Sequence, residues 1–220
     1  MTEIGVHHGR LFIGMHTLRR SGERSLAIDL FDDQANNVDN SGMGDERIFR
    51  RNVLRHAGND DDLVIVSGDS TKLNGVEVRK HLGSGVRMFS VDGGHTSDIV
   101  KHDMETAQGS LVDGGIVIAD DVYNQEWPGV AEGTLRYLDG GGTLVPFAIG
   151  FNKVLFTQAP FVESFREAVR ELATDKRYFH KESVMHGKPV EIVTKFHHPI
   201  RNRVRQVPGL RPLYKFLRRR

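Results

Sequence analysis

One regularity dominates this sequence: up to about residue 158, short apolar runs take turns with segments of helical spacing. Thr2–Val6, Ser25–Leu30, Leu63–Ser67, Val86–Val91 and Gly115–Ala119 are short and largely apolar, and read as strands. Between them, Arg10–Arg20, Asp45–His56, Thr71–Leu82, Ser97–Leu111 and Gly129–Leu138 read as helices. In the second of these, Ile48, Phe49, Val53 and Leu54 share one side, and Thr96 is placed to cap the fourth. Strand and helix in turn imply right-handed crossovers and a mostly parallel sheet. The ending differs. Thr143–Ile149 and Lys153–Thr157 are strands joined only by Gly150–Asn152, too short a link for a crossover, so they must lie antiparallel. The expected fold is α/β, a mostly parallel seven-stranded sheet with a C-terminal antiparallel hairpin and helices on both faces. A last helix, Val162–Ala173, closes a domain of residues 1–173. Residues 174–220, rich in His, Arg and Pro, read as a basic C-terminal extension.

Composition narrows the class. The chain has 220 residues, 38% hydrophobic and 27% charged, which suits one globular domain. It has no cysteine, so disulfides, thiolate zinc sites and cysteine nucleophiles are excluded. That fits a reducing cytoplasm, the expected location. No run approaches the ~20 apolar residues of a membrane span, and Met1–Arg10 lacks the apolar segment of a signal peptide. The net charge of +1 hides an asymmetry: nine bases and no acid follow Glu191, so the body before them is acidic. This is not the even basic footprint of a nucleic-acid domain, and no nucleic-acid partner is expected. The tail, 201–220, reads either as docking on an anionic surface, a membrane or the acidic body of a second copy in a homo-oligomer, or as a simply solvated, disordered segment.

In a sheet of this kind ligands sit outside the carboxyl ends of the strands, where strand order reverses. After the first strand comes Glu3-Ile-Gly5-Val-His7-His-Gly9, whose glycines permit a sharp turn or close backbone approach to a ligand. Asp29, with Asp32 and Asp33 as rivals, ends the second strand and can accept both hydroxyls of a ribose; a solvated acidic loop is the plain alternative. Asp69 and Ser70 follow the third strand, placed either for an adenine edge or as a helix cap. Asp92-Gly-Gly-His95 follows the fourth, and Asp120-Asp121 the fifth. Three carboxylates then converge on one sheet edge, where they repel unless a hard cation such as Mg²⁺ joins them. His95 is the side chain there that titrates near neutrality, a candidate general base. The competing reading makes Asp92 and Asp120 helix caps and His95 a surface histidine. Trp127 either walls a pocket or starts a helix.

These residues resemble a known family. Glu3-Ile-Gly-Val-His-His-Gly9, Ile28-Asp29, Gly68-Asp69-Ser70, Val91-Asp-Gly-Gly-His95-Thr and Gly114-Gly-Ile-Val-Ile-Ala-Asp120-Asp121 look like class I S-adenosylmethionine (SAM)-dependent methyltransferases. The branch they resemble is the metal-dependent O-methyltransferases, which includes catechol O-methyltransferase and the macrocin and mycinamicin sugar enzymes; cephalosporin-hydroxylase-like proteins share the pattern. The resemblance covers about residues 1–158 and implies a Rossmann-like methyltransferase fold. It further implies that Glu3, Gly5, His7 and Gly9 hold SAM, that Asp29 takes its ribose, and that Asp69 and Ser70 lie by its adenine. Asp92, Asp120 and Asp121 would bind Mg²⁺, with Asp92 and His95 the catalytic pair and His95 the base. The expected acceptor is a hydroxyl of a small molecule or sugar, a vicinal diol above all. Two features depart from the family: its usual N-terminal helices precede strand one, which here begins almost at Met1, and it has no counterpart to the basic tail.

Two other readings stand beside this one. A nicotinamide-dependent oxidoreductase would share the sheet, but the G-x-G-x-x-G fingerprint is missing and the terminal hairpin is foreign to it. A non-catalytic accessory protein has no physical need for three converging carboxylates.

Overall fold

The computed structural model describes residues 1–175 and 177–195. Its strands are β1 (Thr2–Ile4), β2 (Ser25–Asp29), β3 (Leu63–Ser67), β4 (Val86–Val91), β5 (Leu111–Ala119), β6 (Leu144–Gly150), β7 (Lys153–Gln158), β8 (Tyr178–Met185) and β9 (Lys188–Lys195). The helices are α1 (Arg10–Thr17), α2 (Glu46–Ala57), α3 (Gly75–Leu82), α4 (Ser97–Ser110), α5 (Pro128–Asp139) and α6 (Val162–Leu172). All nine strands form one sheet, ordered β3-β2-β1-β4-β5-β7-β6-β9-β8. The first five are parallel, and the chain reverses its direction of travel across the sheet between β1 and β4. The hairpin β6–β7 is antiparallel, as its short turn requires, and β7 lies against β5.

Alternating side chains of β2 explain the layers. Leu26 and Ile28 enter a core with Val78, Val100, Met104, Val130 and Tyr137 of α3, α4 and α5. Ala27, between them, joins Phe12 of α1 and Phe49 and Val53 of α2. Successive strand residues point to opposite faces, so the helices cover both. Each fully buried Phe or Leu side chain contributes about 1.5–3 kcal/mol.

Two expectations change. The helix expected over 71–82 is a short 3₁₀ turn at Ser70–Lys72 followed by α3. Asn74 separates them: its Oδ1 accepts the Val76 and Glu77 N–H groups while the Glu77 carboxylate accepts the Asn74 N–H, a reciprocal cap that starts a new helix. The sheet has nine strands rather than seven. Tyr178–Met185 and Lys188–Lys195 pair as a hairpin around His186-Gly187, both with positive φ, and β9 lies parallel to β6. Thr96 stands at the N-cap of α4 as expected, but its side chain makes no capping bond.

An ion network locks the added hairpin to α6. The Glu191 carboxylate is fully buried, with Arg166 at 2.8 Å, Arg170 at 2.9 Å and the His180 Nε2 at 2.7 Å. Without Glu191, Arg166 and Arg170 keep only the more exposed Glu163 and Glu182 as carboxylate partners, and a buried ion network that loses its central charge is weakened. Glu191→Ala is therefore expected to cost about 3 kcal/mol, read as a lower urea midpoint. The basic tail and its proposed membrane or subunit contact lie outside the described residues. Among the described residues no helix is long and apolar enough to cross a membrane.

Candidate active site

The strand ladder itself brings the acids together. The Asp92 N–H donates to the Ile4 carbonyl and the Asp120 N–H to the Val91 carbonyl, each at 3.0 Å. The pairing of β1, β4 and β5 thus runs one residue past the strands and sets Asp92 beside Asp120. Gly5 makes this possible: at φ +81, a Cβ there would sit 1.8 Å from the Asp92 carbonyl oxygen. Asp121 takes the left-handed conformation at φ 56, which aspartate tolerates better than most residues.

A cleft of about 210 Å³ opens at this edge. Gly5 and His7, Asp29, Gly68 to Ser70, and Asp92 to His95 line it, together with Asn36 to Asp39, Ser41 and Gly42. The Asp29 carboxylate accepts the His7 N–H at 2.7 Å and the Phe31 N–H at 2.8 Å, which pins it at the wall with lone pairs to spare. Asp69 accepts from the Thr71 N–H and hydroxyl, so the capping alternative for it is realised. Ser70 turns its hydroxyl inward to Asp103, at 3.1 Å. Of the first-loop residues expected to hold a cofactor, Gly5 and His7 line the cleft, whereas Gly9 caps α1 against Phe49. Glu3 does not line it. Its side chain is buried within β1, one carboxylate oxygen has no partner, and burial next to Asp92 pushes its pKa well up.

An adjoining hollow of about 10 Å³, room for one water-sized group, is lined by Asp92, Gly93, Gly94, His95, Asp120 and Asp121 over an apolar floor of Val91, Val100, Ala119 and Val130. Asp92, His95 and Asp121 each offer a ligand atom there within 4.8 Å of the others. Asp120, expected as the third metal carboxylate, is instead paired with the Lys153 ammonium. The reason is topological. Antiparallel β7 begins where β5 ends, so Lys153 lands beside Asp120, and Asn152 donates its amide to Asp121. Burial raises the Asp92 pKa to about 8, helped by the charges of Asp120 and Asp121, although Lys153 opposes them. Carboxylates crowded to that degree suit a divalent cation held by Asp92 and Asp121.

His95 is not a surface histidine. Its ring is stacked on Trp127 at 4.2 Å and 15°, and its Nε2 lies 3.8 Å from Asp121 Oδ2. Its Nδ1 and its backbone N–H both reach Asp39 Oδ2, at 2.8 and 2.7 Å. Sequence reasoning named neither Asp39 nor Ser41, Lys153 or Asn152. For Lys153 and Asn152 the sequence carries a signal: a hairpin turn returning against the fifth strand places residues 152 and 153 at its carboxyl end.

Comparison with known proteins agrees with this geometry. The sequence profile described as a methyltransferase domain matches residues 2–122, more than half the chain. No curated protein sequence matches it significantly. Among solved structures, the O-methyltransferase NovP shares 17% identity over 72% of this chain and 71% of its own, with a TM-score of 0.56. CalS11, a TDP-rhamnose 3′-O-methyltransferase of calicheamicin biosynthesis, shares 17% identity over 72% and 71%, with a TM-score of 0.53. The cofactor-bound Rv0187 from MTB shares 16% identity over 71% of each chain, with a TM-score of 0.53. With that sheet order, that carboxyl-edge cleft and that sequence match, the chain belongs to the methyltransferase-domain family of class I SAM-dependent methyltransferases.

Proposed function

We propose that this methyltransferase moves a methyl group from SAM to a hydroxyl of a small molecule or sugar, with Mg²⁺ at the acidic edge. One observation carries the reading: a histidine nitrogen and two carboxylates meet in one hollow, and two of these residues, Asp92 and His95, also line the cleft. When bound, SAM supplies a methyl carbon activated by the sulfonium, and Mg²⁺ supplies charge that favours an ionised acceptor oxygen. The chain's own residues do the rest. Asp29 takes the ribose hydroxyls and the Asp69 end of the cleft takes the adenine. Asp92 and Asp121 hold the cation. His95 Nε2 accepts the acceptor's proton, with Trp127 fixing the ring plane and keeping water from that face. Lys153 cancels the charge of Asp120 and leaves two carboxylates to balance two positive charges. Alignment of the hydroxyl with the methyl group then supplies much of the rate. Sugars are the favoured acceptors: they offer vicinal hydroxyls, and CalS11 is named for methylating a rhamnose.

Calorimetry with S-adenosylhomocysteine tests the cofactor assignment. The wild-type chain should bind it and ignore NADH. Asp29→Ala removes a hydrogen bond to a charged group, about 1.5–3 kcal/mol or roughly ten- to a hundredfold in affinity. Unchanged binding in that variant would overturn the ribose assignment, and binding of NADH instead would overturn the whole reading.

A further inference from the structure

Asp39 lies on the segment between β2 and α2, 56 positions before His95. Yet its side chain and that of His95 are 10% and 11% exposed and face each other. We infer that Asp39 is a positioning residue that holds His95 in one tautomer, with hydrogen on Nδ1 and a bare lone pair on Nε2. This role rests on the reading of His95 as the base, and it prepares that base for its proton.

The count of hydrogens decides the tautomer. Asp39 Oδ2 accepts the His95 backbone N–H. Asp39 Oδ1 accepts both the Ser41 N–H at 2.9 Å and the Ser41 hydroxyl at 2.6 Å. Burial raises the Asp39 pKa, but these bonds from Ser41 and His95 outweigh it and leave it at about 2. An ionised carboxylate only accepts. The Ser41 hydroxyl hydrogen is already spent on Asp39, so its oxygen, 3.1 Å from Nδ1, also only accepts. Nδ1 therefore faces two acceptors and must be the donor. In the other tautomer its lone pair would confront the Asp39 carboxylate, and the Ser41 hydroxyl could serve it only by giving up its bond to Asp39. With Nδ1 carrying the hydrogen, the neutral ring keeps its lone pair on Nε2, which faces the hollow beside Asp121. Trp127 stacked on the ring hinders a flip that would put carbons where Nδ1 meets Asp39 and Nε2 faces the hollow. The same arrangement ties the base to the cofactor, because the neighbours of Asp39, Asn37 and Val38, line the cleft.

The test is ¹⁵N NMR of the histidine rings in the full chain, without cofactor or metal, at alkaline pH where imidazoles are neutral. Wild-type His95 should report hydrogen on Nδ1. Asp39→Ala should shift it toward Nε2–H, and Asp39→Glu should restore Nδ1–H. If the alanine variant does not fold, Asp39→Asn keeps the shape and its amide donates to Nδ1, which should drive the ring to Nε2–H. A second readout is methyl transfer to TDP-rhamnose at saturating SAM: kcat should fall by roughly a hundredfold or more in Asp39→Asn. Wild-type His95 found with hydrogen on Nε2, or a tautomer indifferent to residue 39, would overturn the inference. If no variant transfers methyl groups and the tautomer still follows residue 39, the proposed function fails and the positioning role stands.

Discussion

His95→Ala should bind S-adenosylhomocysteine as the wild type does and lose turnover by about a hundred- to ten-thousandfold, the range for a lost general base. The separation of the two effects follows from position. His95 stands at the junction of cleft and hollow, whereas Asp29 and Asp69, which hold the cofactor in the proposed arrangement, lie at the ends of β2 and β3. The working nitrogen of the imidazole faces Asp121. His95→Gln should not rescue turnover, because an amide fills the space and cannot take a proton. The measurement is single-turnover methyl transfer beside calorimetry on the same preparation. Turnover equal to wild type would remove His95 from the chemistry. Turnover lost in proportion to cofactor affinity would make it a binding residue instead.

The acidic edge should make Mg²⁺ affinity and protein stability respond to pH in opposite senses. Without a cation, burial and the neighbouring Asp120 and Asp121 raise the Asp92 pKa to about 8, far above its unfolded value. The folded chain then holds a proton there that the unfolded chain has already released. That contribution to stability is complete below the unfolded value, near pH 4, and is lost as pH rises through about 8. Glu3, buried beside Asp92 with its pKa also raised, acts in the same sense. The metal-free protein should therefore melt at a lower temperature at pH 9 than at pH 6, other groups being equal. A cation at Asp92 must displace that proton, so Mg²⁺ should bind about tenfold more tightly for each pH unit gained below about 8. Its stabilisation of the fold should grow accordingly. Asp92→Asn should flatten most of the stability slope and abolish the Mg²⁺ response. A Mg²⁺ shift in melting temperature of equal size in Asp92→Asn would place the cation elsewhere.

Much of this architecture is legible in the residues because its signals are local. β3 and β4 fall on the bounds their apolar runs imply, and the three residues Gly150–Asn152 are by themselves enough to force the antiparallel hairpin. The acids at strand ends are legible for the same reason, since a parallel sheet delivers every such residue to one edge. The rest depends on non-local pairing or on charge. The hairpin β8–β9 reads poorly because most of its side chains are solvated, and one of its buried residues, Glu191, is an acid that becomes buried only with Arg166, Arg170 and His180 around it. Its one local signal is the His186-Gly187 turn. The break of the 71–82 segment at Asn74 lies in the reciprocal cap with Glu77, a spacing of three that a helical pattern alone conceals. Lys153 becomes a partner of Asp120 only because β7 borders β5. Asp39 carries no signal, since a polar stretch such as Asp39-Asn-Ser-Gly reads as a surface turn until the fold carries it to His95.

The most direct measurement is transfer of an isotope-labelled methyl group from SAM to a vicinal-diol acceptor, TDP-rhamnose or catechol, followed by mass spectrometry of the product. A labelled methyl ether should form in step with S-adenosylhomocysteine, be abolished by chelation and be restored by Mg²⁺. Label appearing on nitrogen or carbon, or methyl ether formed at full rate after chelation, would refute metal-assisted O-methylation by this chain.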